Sequence, residues 1–362
     1  MDSEQKSTWI TLFFLTYVIF CSKVLISQVI IDQTYADLLK YTYTGLFFVL
    51  LGFTTAKVNL KEKALLGGLS IFCILSFLIN KTAWLYALIV IVILALQCSR
   101  IYLKTICQCV FYGNVCILIL IIPFLFNADS LYMTDDRYGE RLALGFQQAN
   151  ITAMFLVFIY VSFTWFLHMQ FKGGLYKVVI SFFTLLAILF IIDLTKSRTS
   201  EVLLIIYYIG VILSFIFKRS HFNRVYFTAL VSLLICIVGF QFYTAFNYSS
   251  NLLPLNIIFS GRLSFSNYLY QSVGIPNVFF GIDTEPYNPI DFFFIAFVYG
   301  AGLVVSLFIM MIFIWKLRLL QCDLFAINII LLCLLTTLTE KQLLTPFCCL
   351  FLYIVYAKKQ NV

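Results

Sequence analysis

The chain has 362 residues, of which 62% are hydrophobic, 18% aromatic and only 11% charged, and its formal net charge is +8. No water-soluble core of that length needs such a balance, so soluble enzymes and soluble binding modules are excluded. Apolar stretches of roughly 16 to 25 residues recur along the whole chain, about what a helix needs to cross the hydrocarbon layer. A transmembrane β-barrel would show shorter alternating segments instead.

Taken in chain order, Met1 to Thr8 carries Asp2, Glu4 and Lys6 ahead of a long apolar run. No small-x-small cleavage site follows that run, so it reads as a retained first helix. The pattern predicts an all-α polytopic membrane protein with about twelve transmembrane helices. They fall at about 9–27, 39–56, 64–80, 83–99, 105–126, 149–169, 176–194, 201–217, 225–242, 291–315, 323–339 and 343–357. Residues 1–362 form a single membrane domain, because no hydrophilic stretch is long enough for a separate soluble one.

Charge sets the orientation. An even helix count puts both termini on one side, and Lys6, Lys358 and Lys359 assign that side to the cytoplasm. The inner breaks then hold 15 of the 24 cations, Lys172, Lys218 and Arg219 among them, while 12 of the 16 acids lie outside. The balance is +11 inside against −3 outside, which together return the +8 of the chain. The basic excess is therefore topology, and nucleic-acid binding need not be invoked. None of the 11 cysteines falls in an outer loop, so they read as small packing residues. The histidines, His168 and His221, are both on the inner side, which excludes an outward histidine base or histidine metal site. No Walker-type phosphate loop is present, and neither a metal nor a cofactor is expected.

The two longest breaks, about 127–148 and 243–290, are both outside. The second, between helices 9 and 10, mixes Pro254, Pro276, Pro286 and Pro289 with apolar clusters, which predicts a folded loop. Among the outer cations, Arg137 and Arg141 lie in the first long break. Arg141 precedes Gly145, Phe146 and Asn150 at the start of helix 6, where either an anion site or a simple Asn150 cap would suit the helix N-terminus. Lys196 and Arg198 join helices 7 and 8 between Asp193 and Glu201, either as a self-neutralising ion cluster or as groups facing a cavity. Gly261-Arg262 sits in the large loop. Asp283, Glu285, Tyr287 and Asp291 lead into helix 10, where Asp291 suits either a helix cap or a general base.

These short elements resemble those of the Wzy-type polysaccharide repeat-unit polymerases, which are related in plan to the O-antigen ligases. Gly145, Phe146 and Asn150 match a Gly-Phe-x-x-x-Asn element, with Ala149 where proline is usual. Ser197, Arg198 and Thr199 match Ser-Arg-Thr, and Gly261 and Arg262 match Gly-Arg. Asp291, followed by aromatics and then Gly300 and Gly302, matches an acid or histidine ahead of a glycine pair, in a tighter spacing. Ligases characteristically carry histidine there, so aspartate argues for a polymerase.

The resemblance implies a membrane glycosyltransferase of the bacterial cytoplasmic membrane. It would join undecaprenyl-pyrophosphate-linked repeat units into surface polysaccharide on the outer face. Asp291, Arg198 and Arg262 would be catalytic. Arg141, Asn150, Lys196, Asp283, Glu285 and Tyr287 would bind substrate. The partners it implies are lipid-linked repeat units, membrane lipid, a chain-length regulator and a flippase. A flippase or transporter of lipid-linked oligosaccharide, or a ligase-like transferase, is the alternative reading.

Overall fold

The computed structural model describes residues 3–29, 33–81, 84–126, 131–135, 139–171, 174–217, 224–320 and 322–358. Asp2, Arg137, Lys172, Lys218, Arg219, His221 and Lys359 lie outside them. Five helices come first: α1 (Ser3–Ile26), α2 (Gln33–Lys57), α3 (Leu60–Asn80), α4 (Trp84–Cys98) and α5 (Leu103–Phe126). An antiparallel hairpin of β1 (Tyr132–Asp135) and β2 (Gly139–Leu142) follows. Then come α6 (Ala149–Gln170), α7 (Leu175–Thr195), α8 (Arg198–Ile216), α9 (Arg224–Phe246), α10 (Leu253–Ile258) and α11 (Arg262–Val273). The chain closes with α12 (Phe293–Ala301), α13 (Leu303–Arg318), α14 (Leu324–Thr336) and α15 (Leu350–Tyr356).

Seven of these, α1, α3 and α5 to α9, are long and apolar enough to cross a membrane, and α4 and α14 are shorter apolar helices. Their outward faces carry large apolar side chains, such as Phe183 and Phe190 on α7 and Ile71 and Leu78 on α3, that water would not tolerate in such numbers. The chain is an all-α polytopic membrane protein.

With lipid outside, apolar contact alone gives little reason for one helix to choose another, so buried polar side chains do the sorting. Tyr17 donates to Asn114, and Asn114 donates to Ser162, which joins α1, α5 and α6. Gln97 of α4 donates to both Thr16 of α1 and Thr54 of α2. Asn328 of α14 donates to the Tyr207 carbonyl of α8.

The two ends of the bundle differ. At one, Lys6 and Lys358 each lie 5.2 Å from the Tyr102 ring, so the first and last described segments meet there. Arg100 pairs with Glu62, and His168 with Asp323, at the same end. At the other end sits a cap built from residues 247–292. It has its own core of Leu263, Leu269, Ile290 and Phe292 packed on Ala245 of α9 and on Ile295 and Tyr299 of α12.

Two expected helices differ in the structure. The stretch 291–315 is broken at Gly302, which takes φ +89° and ψ 153° and separates α12 from α13. The freed amides of Leu303 and Val304 are taken by the carbonyls of Asn277 and Val278 in the cap. The stretch 343–357 is helical only from Leu350, because Gln342–Leu344 forms a 3-10 turn and the chain bends through Thr345 to Cys349. The 243–290 break, in turn, contains two helices, and 127–148 contains the hairpin.

The cap is seated by a close approach of backbone to backbone. Ile282 donates to the Tyr299 carbonyl at 2.8 Å, and a Cβ on Gly281 would lie 1.6 Å from the Gly300 oxygen. Gly281→Ala is therefore expected to lower the thermal unfolding midpoint in detergent, since overpacking of this kind costs on the order of 1–3 kcal/mol. Gly239→Ala in α9, where an added Cβ meets nothing within 4 Å, should leave it unchanged. Equal midpoints for the two variants would refute the close approach.

Candidate active site

The cap positions one arginine. Ser260 (φ 55°) and Gly261 (φ 89°) are both left-handed, a reversal that glycine makes at low cost. Asn256 reads the turn: its Oδ1 accepts from the amides of Leu263 and Ser264, satisfying two free donors at the start of α11. Arg262 is then the first residue of α11, and its side chain is buried with those of Leu263 and Ser266.

Its partners come from two other segments. Residues 290–292 are extended, with Ile290 and Phe292 fully buried, so the alternation of a strand-like backbone turns Asp291 the other way, toward Arg262. Asp291 Oδ2 lies 3.3 Å from Arg262 Nε. It does not cap α12, because the amide of Phe294 is taken by Gln241 Oε1 and that of Phe293 by the Thr337 carbonyl.

Glu340 supplies the second carboxylate, with Oε1 3.5 Å from Arg262 Nη2. The threonines before it end α14: the hydroxyls of Thr336 and Thr337 bond back to the carbonyls of Cys333 and Leu334. Gln241 Nε2 donates to the Thr337 carbonyl at 2.7 Å and ties that end to α9.

Both contacts are ion pairs by distance but not hydrogen bonds by alignment. Among the described residues, Arg262 Nε and Glu340 Oε1 are buried without a hydrogen-bond partner, and the one hydrogen bond from the guanidinium is a 3.3 Å one from Nη1 to the Phe259 carbonyl. A donor aimed off its acceptor forfeits much of the bond. The guanidinium is thus counter-charged yet keeps donor capacity for a further anion.

Burial pushes the Glu340 carboxyl up to about 8, helped by the Asp291 charge and opposed by Arg262, Lys341 and Arg141. Burial therefore favours the protonated form of Glu340 beside Arg262. Next in the chain, Lys341 donates to Asn288 Oδ1 at 2.7 Å. Burial lowers its pKa, while Asp291, Glu285 and Glu340 act to raise it.

Arg141 is buried as well, on β2. It donates to the Thr195 carbonyl at the end of α7, to Asp135 and to Asn150 Oδ1. Asn150 is accordingly an acceptor for arginine and not the cap of α6, whose cap position is Gln148. Arg198 is exposed in the first turn of α8, and its charge acts on Glu201 alongside that of Asp193. Lys196, exposed and left-handed, ends α7. Thus the charge of Arg141 acts on Glu340 from a buried position, whereas Arg198 is exposed at the start of α8 among Asp193 and Glu201.

Asp283 accepts from the Glu285 amide within the cap, Glu285 is exposed, and the Tyr287 ring lies 6.3 Å from that of Tyr268. Among the described residues, no group of three or more His, Cys, Asp or Glu side chains is placed to hold a metal.

No protein-family model, no curated protein and no solved structure matches this chain. The site is therefore read from its own geometry. Sequence reasoning found Arg262 and Asp291 but missed Glu340. The signal was the run Thr336-Thr-Leu-Thr-Glu340-Lys341, a polar break between apolar stretches. The predicted helices at 323–339 and 343–357 left it only three residues of loop.

The raised Glu340 pKa carries a pH signature. A carboxyl that binds its proton more tightly in the folded state gives stability that is complete below the unfolded value near 4.5 and is lost as pH rises through about 8. The unfolding midpoint should fall from pH 5 to pH 9, and Glu340→Gln should remove that part of the fall. A Glu340→Gln profile parallel to wild type would show that the carboxyl titrates in its ordinary range.

Proposed function

We propose that this protein is a membrane glycosyltransferase that polymerises polyprenyl-pyrophosphate-linked oligosaccharide repeat units, with the Arg262–Asp291–Glu340 cluster as its active site. The observation that carries the reading is a buried guanidinium, faced by the carboxyl groups of Asp291 and Glu340, that retains unmet hydrogen-bond capacity. The resemblance to Wzy-type polymerases at Gly261-Arg262, Ser197-Arg198-Thr199 and Asp291 supports it from the sequence side.

In this reading α2, α4, the α12–α13 pair, α14 and α15 join the seven long helices to make twelve crossings. The termini are cytoplasmic, and the cap faces outward from the bacterial cytoplasmic membrane. The charge balance of the loops supports that orientation.

The acceptor hydroxyl oxygen attacks the anomeric carbon of the donor glycan. The new C–O bond forms as the bond to the pyrophosphate oxygen breaks, and the electron pair leaves on the polyprenyl pyrophosphate. Asp291 takes the hydroxyl proton. Arg262, preorganised in a site of low dielectric, stabilises the charge that develops on the leaving oxygen, and its planar donors suit phosphate geometry. Burial favours the protonated form of Glu340, which lessens the competition of the two carboxyls with that anion for Arg262. Arg198 meets the pyrophosphate at the rim. A chain-length regulator and a flippase are the partners such an enzyme would have. A flippase reading of this chain itself fits less well, since no Asp, Glu, Lys or Arg lies in the middle of the seven long helices to line a path across.

Purified protein in detergent, given lipid-linked repeat units and no nucleotide, should grow polymer. Arg262→Ala and Asp291→Asn should each lower turnover on the order of 10²-fold or more at normal protein abundance, the scale for losing one electrostatic stabiliser. Arg198→Ala should raise KM with turnover largely kept. Undiminished growth in both Arg262→Ala and Asp291→Asn would sink the assignment.

A further inference from the structure

A second feature of the capped end belongs to none of the roles above. A cavity of about 450 Å³ lies between α1, α4, the cap and the bend after α14, and three lysines line it: Lys23, Lys81 and Lys341. They come from the end of α1, the residue after α3 and the residue after Glu340. Two acids, Asp283 and Glu285, share the wall. Asp283 accepts from the Glu285 amide and Glu285 is exposed; three lysines against two acids leave the wall one cation in excess.

Lys23 is held in place: its Nζ donates to Tyr86 Oη at 2.9 Å and lies 4.1 Å from that ring's centre. Thr284 and Thr345 add hydroxyls, and the apolar part of the wall includes Phe20 and Val24 from α1, Val90 from α4, and Leu344. Leu344 lines this cavity and also a second, 120 Å³ cleft walled by aliphatic and aromatic side chains of α4, α12 and α13. A cationic mouth over apolar walls, one leucine away from a dry cleft, fits an amphiphile with a phosphate head and a hydrocarbon tail.

The proposed reaction uses two lipid pyrophosphates and needs them held differently. The donor's must leave, which calls for directional donors at the reacting bond. The acceptor's stays attached, which calls only for charge at a distance from that bond, and lysine, a compact point charge, supplies it. We propose that the Lys23–Lys81–Lys341 cavity binds the polyprenyl pyrophosphate of the acceptor repeat unit, an inference that rests on the polymerase reading. Lys341 places this cradle beside the Arg262 cluster, since it directly follows Glu340 and its charge interacts with Asp291. An acceptor glycan leaving the cradle therefore starts next to the base.

The test has a binding arm and a kinetic arm. In native mass spectrometry, wild-type protein should take up one equivalent of geranylgeranyl pyrophosphate at the arginine cluster and a second in the cavity. Lys23→Gln/Lys81→Gln should lose the second, and Arg262→Ala the first. Geranylgeraniol and inorganic pyrophosphate are the controls: uptake of inorganic pyrophosphate alone, equal to that of the lipid, would mean a free-anion site and overturn the proposal. In polymerisation, Lys23→Gln/Lys81→Gln should raise the acceptor concentration for half-maximal rate about tenfold, the scale of one lost charge-assisted contact, with maximal rate and donor dependence unchanged. Lipid stoichiometry unchanged by the lysine substitutions would overturn it too. If wild-type protein takes up two lipids but makes no polymer, the polymerase reading fails while the cavity's affinity for lipid pyrophosphate stands.

Discussion

A guanidinium taken out of water must be given countercharge, and at Arg262 that requirement gathers three segments that are far apart in the chain. Asp291 and Glu340 stand 29 and 78 residues beyond Arg262, yet both face it. Each is delivered by a different device: a left-handed turn read by Asn256, an extended stretch pinned by Ile290 and Phe292, and a helix end closed by threonines. Gln241 binds two of these devices together, since its side chain serves both the Thr337 carbonyl and the Phe294 amide. Losing it would strand a buried donor and a buried acceptor at once, the costly way to lose hydrogen bonds.

The same requirement explains why the carboxyls are unequal. Glu340 is more deeply buried than Asp291, and placing a second full charge beside the first would add repulsion to desolvation. Keeping a proton on Glu340 relieves both. The desolvation that raises the Glu340 carboxyl and the opposing charge of Arg262 thus act on the same buried group.

Much of this was present in the one-dimensional pattern. Composition and run length specify a polytopic helical protein, Arg262 stands out as a cation on the side that the charge balance assigns outward, and Asp291 as an acid at the entry to a helix. Three things were not accessible in that way. The break at Gly302 was hidden because glycine is ordinary in membrane helices, and only the carbonyls of Asn277 and Val278, some 25 residues back in the chain, make it workable. Glu340 was hidden because hydropathy runs on both sides of it look continuous. The relative standing of Arg141 and Arg198 depends on a β-hairpin that carries one of them inward, and four-residue strands leave little periodicity to detect.

The break at Gly302 also decides which parts of the cap are free to move. Leu303 and Val304 begin α13 with amides satisfied by the cap backbone alone. Lifting residues 277 and 278 would leave two donors facing hydrocarbon, at several kcal/mol each. This stretch is therefore as much a part of the embedded framework as the helices it touches. The stretch before it, from Asn247 to Val273, rests on α9 and α12 by side-chain packing and hydrogen bonds such as Asn267 to the Ala245 carbonyl. The wall behind Asp291 is thus tied to the helices by backbone hydrogen bonds, and the wall that carries Arg262 mainly by side chains.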